Sequence, residues 1–405
     1  MVSGALLYFC ANLSRAAIPG AVFDDLQYHW SLSAGEVASL GTAFMYVYAV
    51  AQLIVGWLID RYGGVRVMAA GGMFFVAGSV LFALAPGYGM LLAARLLCGV
   101  GASGLYLGVI TEILRYFKKN YTIIISIIVM TGYVGAIVAN APFASGVSSF
   151  GLLPMLWVLA GMVTIFYLCF IGNSMQMNMP MVKHKEFSLS QFAELFKNRQ
   201  NIYVFGFLPV NWGLFYSLQT VVGKKFLEDY CGMSSGNAAL IFSLTGAVSA
   251  AGGFVYAWCS LRMNNRKCPF FRLTSVVSLL VFIMLPLLIY FDVRSPLFVV
   301  LFIMLAGVSS LSSLIIPLLK EINSKENTGS VIAFQNFLSY ALVGVSGNII
   351  GWVMDRFEPV QCGSRLIYSP NAYMTVFGVM SIGALIVFYC GMNLRESYDL
   401  PQKKG

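Results

Sequence analysis

Two arginines stand where arginine is costly. Arg15 lies about 13 residues into the apolar run that opens the chain, and Arg95 lies inside a later apolar run. At a rise of 1.5 Å per residue, Arg15 is roughly 20 Å along a helix, beyond easy reach of either end. A guanidinium does not discharge, so in apolar surroundings it binds an anion or pairs with an acid or carbonyls. No acid sits at matching depth. Asp60 and Glu112 fall at one edge of the apolar runs, and Asp24 and Asp25 at the other. These residue types point to anion recognition at Arg15. For Arg95 a second anion contact and a structural role compete evenly.

Uncharged polar and aromatic residues within the same kind of run extend the candidate list. They are Tyr46, Gln52, Asn140, Asn211, Trp212, Tyr216, Gln219, Gln335, Asn336 and Tyr340. Each either faces a solute or makes an interhelical hydrogen bond, the commoner use of such residues in lipid. Other chemistries lack their parts. The two histidines, His29 and His184, are far apart and lie outside the runs. No His-Glu-x-x-His and no phosphate-binding loop occurs, which argues against a membrane enzyme or a nucleotide-driven pump. No catalytic residue, metal or cofactor is expected.

The elements that must hold these residues follow from composition. The 405 residues are 59% hydrophobic and 10% charged, against about 25% charged in soluble domains. Mean hydropathy is +0.80. Twelve apolar runs are long enough to cross a bilayer: 2–23, 36–59, 67–85, 89–114, 122–146, 152–172, 201–222, 236–260, 270–290, 296–319, 331–353 and 370–392. The first is read as a retained span and not a signal peptide, because it is long and carries Arg15. Of the 25 Lys and Arg, 18 fall in segments on the side of the termini and five on the other. That bias places both termini in the cytoplasm, as in a bacterial inner-membrane protein. It also explains the net charge of +9 without nucleic acid. Lys224 and Lys225 either attract anions near the outer mouth or start a solvated outer loop, the commoner reading. Cys231 and Cys362 lie outside the runs, where a bridge between them is conceivable.

The polar stretch 173–200 divides the chain into a six-span bundle at 1–172 and another at 201–405. Leu189, Phe192, Ala193 and Phe196 recur at helical spacing within it, and Ser188 with Gln191 makes a capping-box start. A short amphipathic helix on the membrane surface is expected there. The halves repeat. Ser33-Ala34-Gly35-Glu36 returns as Ser234-Ser235-Gly236-Asn237 at an offset of 201, which also puts Arg61 on Arg262 and Arg15 on Tyr216. At an offset of 208, Asn140 falls on Asn348. Duplicated bundles that can rock about a central site are a transporter architecture. A channel needs filter loops or charged rings instead.

After the second run comes Gly56-Trp57-Leu58-Ile59-Asp60-Arg61-Tyr62-Gly63-Gly64-Val65-Arg66. This segment resembles the signature loop of the major facilitator superfamily, with its last basic residue one place late. Arg95-Leu96-Leu97-Cys98-Gly99-Val100-Gly101 is similar to that family's second motif. The resemblance implies an all-α membrane fold of twelve helices in two pseudo-symmetric bundles that alternates access to a central cavity. It also implies that the loop latches the cytoplasmic side, with Asp60 at the start of the eleventh span. Arg61 or Arg66 would meet an acid on the fourth, for which Glu112 is placed. Gly56 is expected to let another helix approach, and Gly63 or Gly64 to allow the turn. The glycine-rich exporter motif of the fifth span is matched only in part, by Gly132, Gly135, Pro142 and Gly146.

The expected activity is secondary transport of a small organic anion or zwitterionic metabolite by a monomer in the bilayer. Uptake coupled to protons is one mode, with uniport and anion exchange left open because no acid lies at mid-membrane. Drug or metabolite efflux is the alternative. A transporter-like sensor without flux is the alternative from another class.

Overall fold

The computed structural model describes residues 2–116, 121–174, 190–323, 328–362 and 365–396. Among the described residues, nine helices are long and apolar enough to cross a membrane. The first span, Val2–Ala21, makes a tenth if it is counted with Phe23–Trp30, from which it is bent by 69°. The second to sixth spans follow as Ala34–Tyr62, Gly64–Ala83, Tyr88–Ser103 with Leu105–Tyr116, Tyr121–Val138 with Ala141–Phe150, and Leu152–Ser174. The eighth, ninth, eleventh and twelfth are Ser235–Arg262, Cys268–Tyr290, Thr328–Met354 and Pro370–Met392. The two remaining runs are broken helices. The seventh is Arg199–Ser217, a wide turn over Leu218–Val222, then Gly223–Asp229. The tenth is Leu297–Val308 and Ser312–Ile322. This order is that of a multi-pass membrane protein with two six-helix halves. A short hairpin, Val360–Cys362 with Arg365–Ile367, caps the outer end; "outer" here means the end away from the termini.

The breaks have chemical causes. Pro19 has no N–H to donate, and Ile18 before it leaves helical geometry (φ −113°, ψ 116°), as residues before proline tend to do. In the fifth span, Pro142 opens the second segment after Asn140, whose backbone is not helical. The bent first and seventh spans are related by the offset of 201. Ala17–Ala21 maps onto Leu218–Val222, and the two wide turns touch, since a Cβ on Gly20 would come within 2.6 Å of the Thr220 carbonyl. Ser33 and Ser234 cap the second and eighth spans through the N–H groups of Glu36 (3.1 Å) and Asn237 (3.3 Å). Before them, Ser31 and Gly232 both take positive φ.

The second and eleventh spans run antiparallel in close contact along their outer halves. A Cβ on Gly344 would meet Tyr46, one on Gly347 would meet Thr42, and one on Gly351 would meet Ala38 and Gly35. Such close approach gains dispersion contacts where lipid offers no hydrophobic drive. Large apolar side chains such as Phe150, Ile165, Leu168 and Trp352 cover the periphery, where lipid tails replace water.

Three expectations need correction. Leu195 of the short helix Ser190–Leu195 is buried, and the Phe196 ring after it packs on Phe205 and Phe334 of the second half. This segment therefore docks against the second bundle and not only the membrane surface. Leu189 and Ser188 lie outside the described residues, as do the side chains of Gln191 and Phe192. Cys231 and Cys362 are free. Lys224 and Lys225 are buried, not solvated.

Candidate functional site

Arg15 sits about one turn before the break in the first span, half-buried between the halves. Its guanidinium carbon is 5.4 Å from the ring centre of Tyr216 on the seventh span, 5.6 Å from Tyr340 on the eleventh and 6.0 Å from Tyr48 on the second. Nη1 donates to the Tyr340 hydroxyl (3.3 Å), and Nη2 donates to Asn12 Oδ1. Among the described residues Arg15 forms no ion pair. Its Nε and the Tyr216 hydroxyl are both buried without a well-formed hydrogen bond. Unsatisfied polar atoms at this depth are expensive, so the pair marks a place for an acceptor.

The cage has a second layer. Tyr48 and Tyr340 meet edge to face at 4.5 Å, Trp212 stacks on Tyr216 at 5.2 Å, and Tyr8 lies 5.2 Å from Tyr106. Gly132 gives the Tyr8 ring its seat, because a Cβ there would come within 2.5 Å of the ring. Asn12 is held by donating to the Tyr8 carbonyl (2.9 Å). Tyr8, Asn12, Tyr48 and Tyr106 were absent from the candidates drawn from sequence. Tyr8, Asn12 and Arg15 share one helical face at spacings of four and three, a signal that was available. Tyr48 and Tyr106 sit in aromatic surroundings where tyrosine reads as packing.

The other candidates fall elsewhere. Arg95 is 1% exposed. It donates to the Leu40 carbonyl (3.0 Å), Ser14 Oγ (3.2 Å) and the Ile18 carbonyl (3.2 Å), with Phe44 beneath it at 4.7 Å. It fastens the fourth span to the first and second and takes up the carbonyl released at the break, so it is not placed as a second anion contact. Gln52 donates to the Ser103 carbonyl (2.8 Å), and Asn140 donates to the Ala136 carbonyl (2.9 Å). Asn211 links Ser278 and Ser309 within the second half. Gln335 donates to Ser339 (3.1 Å), while its Oε1 is buried without a partner. Tyr46 accepts from Asn348 (3.1 Å) in the seam between the halves. Gln219 lies near Gly246 of the eighth span. Asn336 is half-buried on the eleventh.

The outer end is closed by charge. Lys225 Nζ contacts Asp24 across the halves, which the offset of 201 makes equivalent positions, and reaches Asp229 at 3.4 Å and the Leu366 carbonyl at 2.6 Å. Lys224 donates to the Ala21 carbonyl (2.6 Å) and pairs with Glu228 (3.4 Å). Buried Gln27 donates to the Tyr368 hydroxyl (3.1 Å), and burial pushes that phenol up to about 12. Outside this seal lies a polar vestibule of about 300 Å³ lined by Asp25, His29, Lys224 and Arg365 among others. An apolar crevice of about 690 Å³ runs along the second to fourth spans past Val50, Ile54 and Phe74. Its lining suits lipid tails and offers little to an anion.

At the inner end lies the signature loop. Gly63 turns with φ 85°. A Cβ on Gly56 would meet nothing of the described residues within 4 Å. Glu112 Oε1 accepts from the Gly64 N–H (2.8 Å), capping the third span. Arg61 lies over Trp57 at 5.3 Å and Arg66 is exposed. The Asp60 side chain lies outside the described residues. The second half keeps part of this arrangement, with Arg262 over Trp258 at 4.5 Å. There Glu396 accepts from the Lys267 and Cys268 N–H groups at the start of the ninth span.

Residues 4–348 match the family model of the Major Facilitator Superfamily. A protein described as "Probable 4-methylmuconolactone transporter" from Cupriavidus pinatubonensis is 39% identical over 75 residues, 18% of each chain. One described as "Probable sulfoacetate transporter SauU" from Cupriavidus necator is 27% identical over 101 residues, 25% of this chain and 23% of that one. The matched segments thus span less than a quarter of either relative. In fold, the nucleoside transporter NupG aligns with a TM-score of 0.73 at 14% identity, covering 98% of this chain and 99% of that one. A peptide transporter POT aligns with a TM-score of 0.76 at 13% identity, covering 97% and 94%.

Proposed function

This chain belongs to the major facilitator superfamily, and on that premise we propose that it is a secondary transporter of a small organic anion or zwitterion. One observation carries the substrate class. Among the described residues Arg15 lies between the halves without an acid, and its Nε and the neighbouring Tyr216 hydroxyl are both buried without a well-formed hydrogen bond. A carboxylate or sulfonate accepting from Nε and Nη on one side and from Tyr216 on the other would complete the site. Each such hydrogen bond to a charged group is worth about 1.5–3 kcal/mol. The flat tyrosine and tryptophan faces around the guanidinium suit a compact, unsaturated body. The two relatives are named for small organic acids, which supports the same class.

Binding beside residues of both halves gives alternating access its lever. A ligand held by Arg15 on one bundle and Tyr216 on the other favours the arrangement in which the two are close. We place 1–172 and 201–405 as the moving bundles and 173–200 as their connection. The termini are assigned to the cytoplasmic side of a bacterial inner membrane, the protein to a monomer, and the direction to uptake. Proton symport is assigned as the coupling mode, with Asp24, Asp25, Glu228 and Asp229 at the outer seam as the acids within reach of the solute path. The test is stabilisation of purified protein by organic acids, amino acids, sugar phosphates, nucleosides and cationic drugs, followed by flux into liposomes. Stabilisation and saturable flux with organic acids are expected. Stabilisation by cations alone would refute the assignment, and binding without flux would make the protein a sensor.

A further inference from the structure

One hexapeptide pattern occurs twice. Gly56-Trp57-Leu58-Ile59-Asp60-Arg61 ends the second span, and Gly351-Trp352-Val353-Met354-Asp355-Arg356 ends the eleventh. These spans are antiparallel neighbours across the two halves, so the copies lie at opposite ends of one helix pair. In both, the arginine folds back over the tryptophan four residues earlier, at 5.3 Å for Arg61 and 3.7 Å for Arg356. Their surroundings differ in one respect. The outer copy is engaged: Asp355 Oδ1 accepts from the Gly35 N–H (2.8 Å) and Oδ2 accepts from Ser33 Oγ (3.3 Å). Gly351 is pressed against Gly35 and Ala38, where a Cβ would come within 2.9 Å of Gly35 Cα. At the inner copy, a Cβ on Gly56 would meet no heavy atom of the described residues within 4 Å.

We propose that Asp355 is a positioning residue of the transport cycle. It latches the outer end by setting a carboxylate on the N-terminus of the second span. The first N–H groups of that helix have no acceptor within the helix and carry its positive dipole end. Gly35 is the residue whose N–H is used, and a side chain there would collide with the carboxylate. The start of the eleventh span repeats the recipe in sequence. Asn327-Thr328-Gly329 sets a capping-type residue two places before glycine, as Ser33-Ala34-Gly35 does. The second and eleventh spans therefore carry reciprocal latches of one design. The outer one is shut in this structure, and the inner one is built to shut when the outer ends part. Each latch opposes the other, and the equilibrium between the two access states is set by their difference.

The proposal rests on the alternating-access reading and not on the choice of substrate, so its test uses none. Hydrogen exchange is followed by mass spectrometry on the full chain in lipid nanodiscs. Asp355→Asn keeps the shape and removes the charge; Asp355→Ala removes both. In each, amides of 34–46 and 344–355 are expected to exchange about three- to tenfold faster, the range a helix-end charge and its hydrogen bonds supply. Amides of 50–62 should exchange more slowly, as the inner ends close. Asp60→Asn should do the reverse, and the double variant should return both ends toward the parent, which removal of a merely structural contact would not. Unchanged exchange at 34–46 in Asp355→Asn would overturn the latch. So would faster exchange at both ends, or a double variant that is faster at both ends than either single one.

Discussion

Replacing Arg95 by lysine separates a fastener from a binding residue. The Arg95 guanidinium spends three donors on Leu40, Ser14 and Ile18 while 1% exposed. A lysine in its place keeps the charge but reaches at most one of these acceptors in a comparable direction. Two hydrogen bonds to a charged group are then lost, each worth about 1.5–3 kcal/mol. The Ile18 carbonyl lies in the kink, where backbone geometry is not helical, and it would be left buried and unpaired. A loss of about 3 kcal/mol or more in unfolding free energy is expected. Arg15→Lys, which loosens a half-buried group, should cost under about 1 kcal/mol. The assay is unfolding in mixed micelles with increasing dodecyl sulfate, followed by tryptophan fluorescence and circular dichroism. An Arg95→Lys protein as stable as the parent but unable to bind an organic acid would refute the reasoning and return Arg95 to the binding site.

Two further outcomes follow from the ends of the molecule. Lys225→Met leaves buried Asp229 without its cation and Asp24 with only the half-exposed Arg365 at 3.9 Å, a breakage that costs about 3–5 kcal/mol when buried. Because that cost falls only on the outer-closed state, amides of 17–24 and 218–225 should exchange at least tenfold faster, and unaltered exchange would contradict a gating role. Glu112→Gln weakens the cap on the third span at Gly64 and should lower stability by about 1 kcal/mol, measured by the same unfolding assay. A stability equal to the parent would show that the carboxylate adds nothing there.

Much of the architecture was legible because lipid imposes it. The apolar runs and the offset of 201 reappear in the helix order, and the offset extends to paired kinks and to the Asp24–Lys225 contact. What stayed hidden depends on direction and partner. Run length does not tell that Pro19 bends the first span or that the tenth breaks at Ser309–Leu311. Arg15 and Arg95 look alike in sequence, and only the carbonyls around Arg95 distinguish them. Lys224 and Lys225 read as solvated because, besides Glu228 and Asp229 four residues on, they contact Ala21 and Asp24, about 200 residues away in sequence. Tyr48 is hidden because a tyrosine among apolar residues carries no mark of whether it faces a helix or a guanidinium. The second copy of the Gly-Trp-x-x-Asp-Arg pattern was in plain view, but at the outer end of a span, away from the loop where the family signature directs attention.

The binding assignment is tested most directly by titration calorimetry of the parent and of Arg15→Gln with the organic acid that best stabilises the protein. Two hydrogen bonds to a charged group, at about 1.5–3 kcal/mol each, predict a loss of at least a hundredfold in affinity. The variant should remain folded in the membrane and keep its unfolding midpoint. An unchanged Kd in a folded Arg15→Gln protein would contradict recognition of an anion by Arg15.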